Sequence, residues 1–408
     1  MNLPPIVALE IGTTVVRAVI GESRDDGHLM ITGLGECPSR GVRKGEIVDF
    51  DNALACVREA LQLAEENGRV IINQVHLVVS GGHIMSLVNR GSVPIMNSHK
   101  EITESDIDRV MTTARAVSLS PDRQVLHTIC QYFHVDDQEG VIDPEGMEGS
   151  KLSADMLIIH GLLMRLRNVV KVVRTVKVDV EDVAFGGLCA ALAVLTAEDK
   201  ESGSVVIDLG GGTTDYVVYA HNAIAAAGSF GVGGDHVTND IARGLRIPIA
   251  DAERLKEDSG SAMVEMSARS QKVGLPAESG LPDRAVKLSD LHTITHLRME
   301  ETLNLVKSEL TEKSLLRSLG AGVVLTGGGA HMKNIVRLAE KVFGLPCRVG
   351  KPRGVAGLAV VTEGPEYAAI VGMARYGIKS MGQKERAGGT LKGFFRRLLD
   401  WLKKFFGK

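Results

Sequence analysis

Two stretches far apart in the chain repeat one pattern, and that repeat narrows the possible folds more than any other feature. The first reads Ile6-Val-Ala-Leu-Glu10-Ile-Gly12-Thr13-Thr14-Val-Val-Arg17-Ala-Val19, the second Val205-Val-Ile-Asp208-Leu-Gly210-Gly211-Gly212-Thr213-Thr214-Asp215-Tyr-Val-Val218. Each is an apolar run, an acidic residue, a glycine turn, paired threonines and another apolar run, which predicts a hairpin of two strands. Glycine lets backbone N–H groups approach a phosphate closely. Gly12, Thr13 and Thr14 on one hairpin and Gly210, Gly211, Gly212, Thr213 and Thr214 on the other therefore suit a cradle for phosphate oxygens. Carboxylates are repelled by phosphate, so Glu10, Asp208 and Asp215 suit Mg²⁺ held through its waters. One Gly-Gly-Gly-Thr turn is weak evidence, but two matching hairpins predict pseudo-symmetric domains closing on a phosphate chain. No GxxxxGK[ST] sequence is present, and neither hairpin leads into the helix that GxGxxG requires, so both P-loop and dinucleotide readings fail.

Further glycine elements extend the site. Gly322-Val-Val-Leu-Thr326-Gly327-Gly328-Gly329-Ala330 follows an apolar run and precedes a helix at about 333–343, where backbone alone can form a flat wall against a base. Gly231-Val-Gly233-Gly234-Asp235-His236 leads into another helix. Glu253 and Lys256 lie one turn apart on one helix face and suit ribose hydroxyls, although read alone they are an ordinary surface ion pair. His292 and His296 have the spacing of a zinc pair, but no Glu follows the first and no third ligand is near, which argues against metal.

The chain has 408 residues, which suggests two or three domains. A net charge of −3 leaves no general basic field for nucleic acid, so any attraction to an anionic surface must be local. Cys37, Cys56, Cys130, Cys189 and Cys347 are scattered, which fits a reducing cytoplasm rather than a disulfide framework. The N-terminus lacks the pattern of a signal peptide, and no run reaches the ~18 apolar residues of a spanning helix.

Short apolar runs alternate with helical patterns, which predicts α/β architecture. Ile6–Leu9, Val75–Val79, Val205–Leu209 and Val323–Thr326 read as buried strands, and 51–66 reads as a helix. An insert over 83–161 breaks the rhythm. Within it Thr103 and Asp106 form a capping-box pattern ahead of a helix, and 124–135 reads as a strand. Residues 259–291 read as a hairpin with loops, and the polar stretch 379–390 as a flexible linker.

Beyond that stretch the pattern is amphipathic. At ~100° per residue, Phe394, Phe395, Leu398, Leu399, Trp401, Leu402, Phe405 and Phe406 fall in one arc, opposite Arg396, Arg397, Asp400, Lys403 and Lys404. Aromatic residues facing a nearly all-cationic side predict a helix lying in the interface of an anionic membrane. Such a helix binds weakly alone, and assembly would strengthen attachment by avidity.

In this order the motifs resemble the actin-like ATPase superfamily: two phosphate hairpins (Glu10 to Arg17, Asp208 to Asp215) and an adenosine motif (Thr326 to Ala330). Within it the pattern is similar to the FtsA family at Ser80-Gly-Gly-His83, Glu101-Ile-Thr103-Glu-Ser-Asp106-Ile, Leu126-His127, Asp143-Pro-Glu-Gly-Met147 and Ala252-Glu253-Arg-Leu-Lys256. The insert matches that family's special subdomain and separates the chain from actin, MreB and DnaK-type chaperones.

The resemblance implies a first actin-like domain at 1–82 and 162–202 and the inserted subdomain at 83–161. A second domain follows at 203–230 and 320–378, with its own subdomain at 231–319 and a terminal helix at 391–408. Helical connectors are expected at about Val180 to Leu195 and Tyr367 to Ile378. It also implies ATP in the cleft with Arg17 among the nucleotide-binding residues, and filaments on the cytoplasmic face of the inner membrane at the division septum. The acidic tail of the tubulin-like FtsZ would dock on 231–319, with Arg298 a candidate contact, and other division proteins would join. Glu10 stands where the superfamily usually has Asp; the extra methylene disturbs water-mediated Mg²⁺ geometry and predicts ATP binding with slow turnover. Two alternatives share the clamp: a PilM-like adaptor of type IV pilus assembly, which has no need of such a tail, and a small-molecule kinase, for which no catalytic carboxylate is identifiable.

Overall fold

The computed structural model describes residues 4–24, 28–275 and 285–386. The first hairpin forms as expected, β1 (Ile6–Ile11) antiparallel to β2 (Val15–Ser23), with Glu10 opposite Arg17. It continues into β3 (Leu29–Pro38). Helix α1 (Phe50–Gly68) starts where the Asp49 carboxylate caps the Asn52 amide at 3.1 Å. It buries Ala53, Cys56, Val57, Ala60, Leu61 and Ala64, which recur at helical spacing. These small residues let α1 lie so close to β3 that a Cβ at Gly35 would overlap the Ala60 carbonyl. β4 (Gln74–Val79) then pairs parallel to β1.

The chain next leaves this lobe to build the insert from β5 (Met85–Pro94), α2 (Glu104–Arg115), β6 (Arg123–Val135), β7 (Gln138–Val141) and β8 (Lys151–Leu162). Its sheet has the order β5-β8-β6-β7. The Thr103–Asp106 capping box opens α2, whose face of Ile107, Val110, Met111 and Ala114 covers a core of its own with Phe133, Leu152 and Met156. The chain returns through α3 (Leu163–Thr175), β9 (Asp179–Phe185), α4 (Gly186–Val194) and the short α5 (Ala197–Glu201).

The second lobe contains β10 (Ser204–Leu209), β11 (Thr214–Ala220), β12 (Ala223–Phe230), α6 (Gly234–Leu245), α7 (Ile249–Ser259), α8 (Leu288–Glu312), β13 (Val323–Thr326), α9 (Ile335–Phe343) and β14 (Cys347–Val349). A small hairpin pairs 272–274 with 285–287. β15 (Val355–Gly357) and α10 (Ala368–Arg386) end the described chain. The two main sheets have the orders β9-β4-β1-β2-β3-β15 and β12-β11-β10-β13-β14. β1 and β10 occupy matching positions, each with an antiparallel partner on one side and a parallel strand on the other.

Three expectations change. The stretch 180–195 is not one helix. Asp179–Phe185 is a strand because its backbone completes the first sheet against β4, and only Gly186–Val194 is helical. Residues 355–378 do not stay with the second lobe: β15 pairs with β3, and α10 packs its Ala368–Ala374 turns into the core that also holds β1 and α4. Helix α10 also runs on to Arg386, so the first part of the expected flexible linker is helical. The predicted membrane helix, with Phe394 to Phe406, lies outside the described residues.

Candidate functional site

The turns of the two hairpins meet across a cavity of about 850 Å³. Gly12, Thr13, Thr14, Gly210, Gly211, Gly212, Thr213 and Thr214 all line it. The approach is close enough that glycine is required: a Cβ at Gly211 would overlap Thr14 Oγ1, and one at Gly212 would overlap Thr13 Oγ1. Thr13 Oγ1 accepts the Gly45 amide at 3.0 Å, so the loop before α1 supports the first turn. The second turn closes through Gly210 N to the Thr213 carbonyl, 2.9 Å. Its Gly210 and Gly211 carbonyls accept the Gly234 and Asp235 amides at the start of α6, at 2.9 and 2.8 Å. Gly233 and Gly234 are thereby held against the clamp.

Glu10, Asp208 and Asp215 line the same cavity. Burial raises all three carboxyl pKa values: Asp208 lies well above the usual range, with the fields of Asp215 and Glu10 adding to burial, Asp215 is pushed up to about 6 against the lowering effect of its two serine hydrogen bonds, and at Glu10 the Arg17 charge opposes burial. Asp215 accepts the Ser80 and Ser229 hydroxyls, each at 2.5 Å. Glu10 Oε2 is buried without a hydrogen bond and faces the Arg17 guanidinium at 3.9 Å. Among the described residues no three acidic, His or Cys side chains stand close enough to hold a metal by themselves. Converging carboxylates beside a phosphate cradle fit a cation that takes its remaining ligands from phosphate and water.

Arg17 lines the cavity with its guanidinium committed elsewhere. Its Nε donates to Glu36 at 2.7 Å, and its plane lies 4.9 Å from the Tyr367 ring centre. Tyr367 donates its hydroxyl to the same Glu36 at 3.1 Å. Arg17 is a charge balance beneath Glu10 and ties the first hairpin to the start of α10.

Toward the other end of the cavity, Glu253 and Lys256 form an ion pair at 2.7 Å. The Lys256 side chain is 12% exposed, and its ammonium also donates to Thr238 on α6 at 3.0 Å. The pair is part of the cavity wall rather than of the outer surface. Gly327, Gly328 and Gly329 complete that wall. Gly327 has φ +80°, and a side chain there would strike the Asp208 carboxylate.

Sequence reasoning missed Ser229, Gly45 and the Glu36–Tyr367 pair. Ser80 stood in a quoted motif, but nothing in its surroundings signalled a bond to Asp215, 135 residues away. His292, on the cavity wall, bonds the Ser259 carbonyl at the end of α7 at 3.1 Å, and His296 bonds that of Ala262 at 2.7 Å, so both tie α8 to the end of α7 and the segment that follows it. Arg298 is held by Asp240 and Glu301, each at 2.6 Å.

Two matching lobes with facing glycine hairpins, joined through α4 and α10, define the actin-like fold of the nucleotide-dependent ATPases. Solved structures agree. A PilM–PilN type IV pilus biogenesis complex aligns with TM-score 0.64 at 16% identity, covering 91% of this chain and 98% of that one. MreB5 of Spiroplasma citri, solved with ADP, aligns at 0.54 and 17%, covering 94% and 99%. Family models then separate the members: the cell division protein FtsA model matches 205–372, and the model of the SHS2 domain inserted in FtsA matches 81–160. FtsA of Escherichia coli K12 is 35% identical over 98% of both chains, and FtsA of Pseudomonas aeruginosa is 36% identical over 92% of this chain and 89% of its own. This chain belongs to the FtsA family of cell division proteins.

Proposed function

We propose that the chain binds ATP with magnesium in the cleft, assembles on the cytoplasmic face of the inner membrane at the division site, and tethers FtsZ filaments there. The observation that carries the reading is the meeting of the two hairpin turns, in a chain whose core and insert both match FtsA family models. Backbone amides and the Thr13, Thr14, Thr213 and Thr214 hydroxyls hold the phosphate chain. Lys256 and Glu253 take the ribose, and the Gly327–Gly329 backbone lies against the base. Asp208, Asp215 and Glu10 hold the waters of the ion, whose chemistry is to neutralise phosphate charge and polarise the terminal phosphoryl group.

Turnover is slow, because the Glu10 carboxylate is turned toward Arg17 and its charge is partly cancelled there. The nucleotide then acts chiefly on assembly. Residues 391–408 supply the membrane contact, with Phe394, Phe395, Leu398, Leu399, Trp401, Leu402, Phe405 and Phe406 in the interface and Arg396, Arg397, Lys403 and Lys404 among the headgroups. The acidic FtsZ tail docks on 231–319. Leu297, 59% exposed, stands beside Arg298 there. An acidic side chain gains Arg298 only by displacing Asp240 or Glu301, so Arg298→Ala should weaken a tail peptide less than tenfold, about 1.4 kcal/mol.

Liposome co-sedimentation of the intact protein, together with a pull-down on an FtsZ tail peptide, tests the reading. Vesicle binding that strengthens with ATP, and capture by the peptide, are expected. Failure of both removes it, and fast ATP hydrolysis by the protein alone removes its account of turnover.

A further inference from the structure

A β-hairpin closed by a two-residue turn of type I′ needs positive φ at both central positions, and Asn or Asp followed by Gly suits it best. The short hairpin between β3 and α1 has such a turn. It pairs Val42 with Ile47 and Arg43 with Glu46, which leaves Lys44 and Gly45 between them at φ +53° and +74°. Gly45 has no Cβ to oppose that conformation, whereas Lys44 does. The turn itself does not call for a lysine.

Gly45 lines the cleft, and its amide donates to Thr13 Oγ1 of the first hairpin at 3.0 Å. On the second lobe, a Cβ at Gly212 would overlap the Lys44 backbone, and one at Gly231 would meet Lys44 Cδ at 3.6 Å. The turn is therefore wedged between the two glycine turns at the rim of the cavity. Arg165 of α3 holds its base through Glu46, while the Lys44 side chain is exposed and makes no hydrogen bond or ion pair among the described residues. The cleft lacks a cation at that end. Glu10, Asp208 and Asp215 stand there, and the Lys and Arg side chains among the described lining residues are each already paired: Arg17 with Glu36 at 2.7 Å, Lys256 with Glu253 at 2.7 Å and Lys333 with Glu265 at 3.0 Å. A triphosphate adds further negative charge, of which one Mg²⁺ cancels only part.

We propose that the Lys44 ammonium binds the terminal phosphate of the nucleotide, and so tells a nucleoside triphosphate from a diphosphate. The inference rests on the reading of the cleft as an ATP site. A flexible four-carbon stem rooted beside Gly212 lets the ammonium swing from solvent onto the phosphate chain. Thr13 supports the same contact, because its hydroxyl oxygen accepts the Gly45 amide and keeps its own hydrogen to donate to phosphate. With a triphosphate bound, the turn is held at its tip as well as at its base, and its packing on Gly212 and Gly231 passes that hold to the second lobe. With a diphosphate the tip keeps only its bond to Thr13.

The test titrates full-length protein by calorimetry, in Mg²⁺, with a non-hydrolysable ATP analogue and with ADP. Lys44→Asn removes the ammonium and supplies a residue that the turn prefers, so its melting temperature should not fall. Affinity for the ATP analogue should drop roughly tenfold, and affinity for ADP by about twofold at most. Lys44→Met, which keeps most of the stem, should do the same, and Lys44→Arg, which keeps the charge, should retain the preference for the triphosphate. In the native protein that preference should narrow as salt is raised, since the ammonium is exposed. Equal weakening of both nucleotides in Lys44→Asn and Lys44→Met, or no change in either, overturns the proposal and leaves the cleft an ATP site. If the native protein binds neither nucleotide, the reading of the cleft fails and the proposal falls with it.

Discussion

Asp215 accepts a hydroxyl on each carboxylate oxygen, yet burial keeps its pKa near 6. A carboxyl with a raised native pKa favours folding while protonated. Its contribution is complete below the ordinary value of about 4 and is lost as pH rises through about 6. Binding of Mg²⁺-ATP runs the other way, since only the charged form attracts the cation. Melting temperature without ligand should therefore fall between about pH 4 and 6, and the stabilisation by Mg²⁺-ATP should grow over the same interval. Asp215→Asn should flatten both trends. Gly211→Ala tests the clamp itself: its methyl group overlaps Thr14 Oγ1 across the cleft, and nucleotide affinity should drop at least tenfold, about 1.4 kcal/mol, in a titration followed by calorimetry. At this scale the chain announces what the backbone itself does, because a glycine turn is a local instruction. It does not announce Ser80, whose importance comes only from Asp215 being folded against it. Glu253 and Lys256 are intermediate: helical spacing pairs them, but only the packing of α7 on α6 makes them a cavity wall.

Helices α4 and α10 cross in close contact. A Cβ at Gly372 would overlap the Cys189 carbonyl, and the surrounding residues leave no room to shift. Gly372→Ala should cost about 1–3 kcal/mol in urea unfolding, without altering the cleft residues themselves. By contrast Thr103→Ala removes the hydroxyl that donates to the Asp106 carboxylate at 2.6 Å at the start of α2, and should cost about 1 kcal/mol, expressed within the insert. The elements were legible where periodicity was clean, as in α1 and α2. β9 was not, because a register shift between Val180 and Asp182 breaks its alternation and the segment runs directly into α4. Its strand character is supplied by β4, a partner that no local pattern names.

At the scale of the molecule, the insert touches both lobes. It grows from the first, and it also bonds the second-lobe hairpin: Ser86 Oγ donates to the Ala227 carbonyl at 2.6 Å, Gln131 Nε2 to that of Ile224 at 2.7 Å, and the Tyr132 hydroxyl to that of His221 at 2.7 Å. Tyr132→Phe with Gln131→Ala should speed hydrogen exchange along β12 more than along β13, which the insert does not bond. The insert was visible as an interruption of the α/β rhythm, but its second attachment was not, since backbone carbonyls carry no sequence signature.

That second attachment changes the mechanics. Two rigid bodies joined only at a crossing of helices keep a free rotation, like a pair of jaws. A third strut on another side converts the linkage into a truss, in which a force applied at one joint is distributed through the others. A ligand between such bodies does its work as stress rather than as travel.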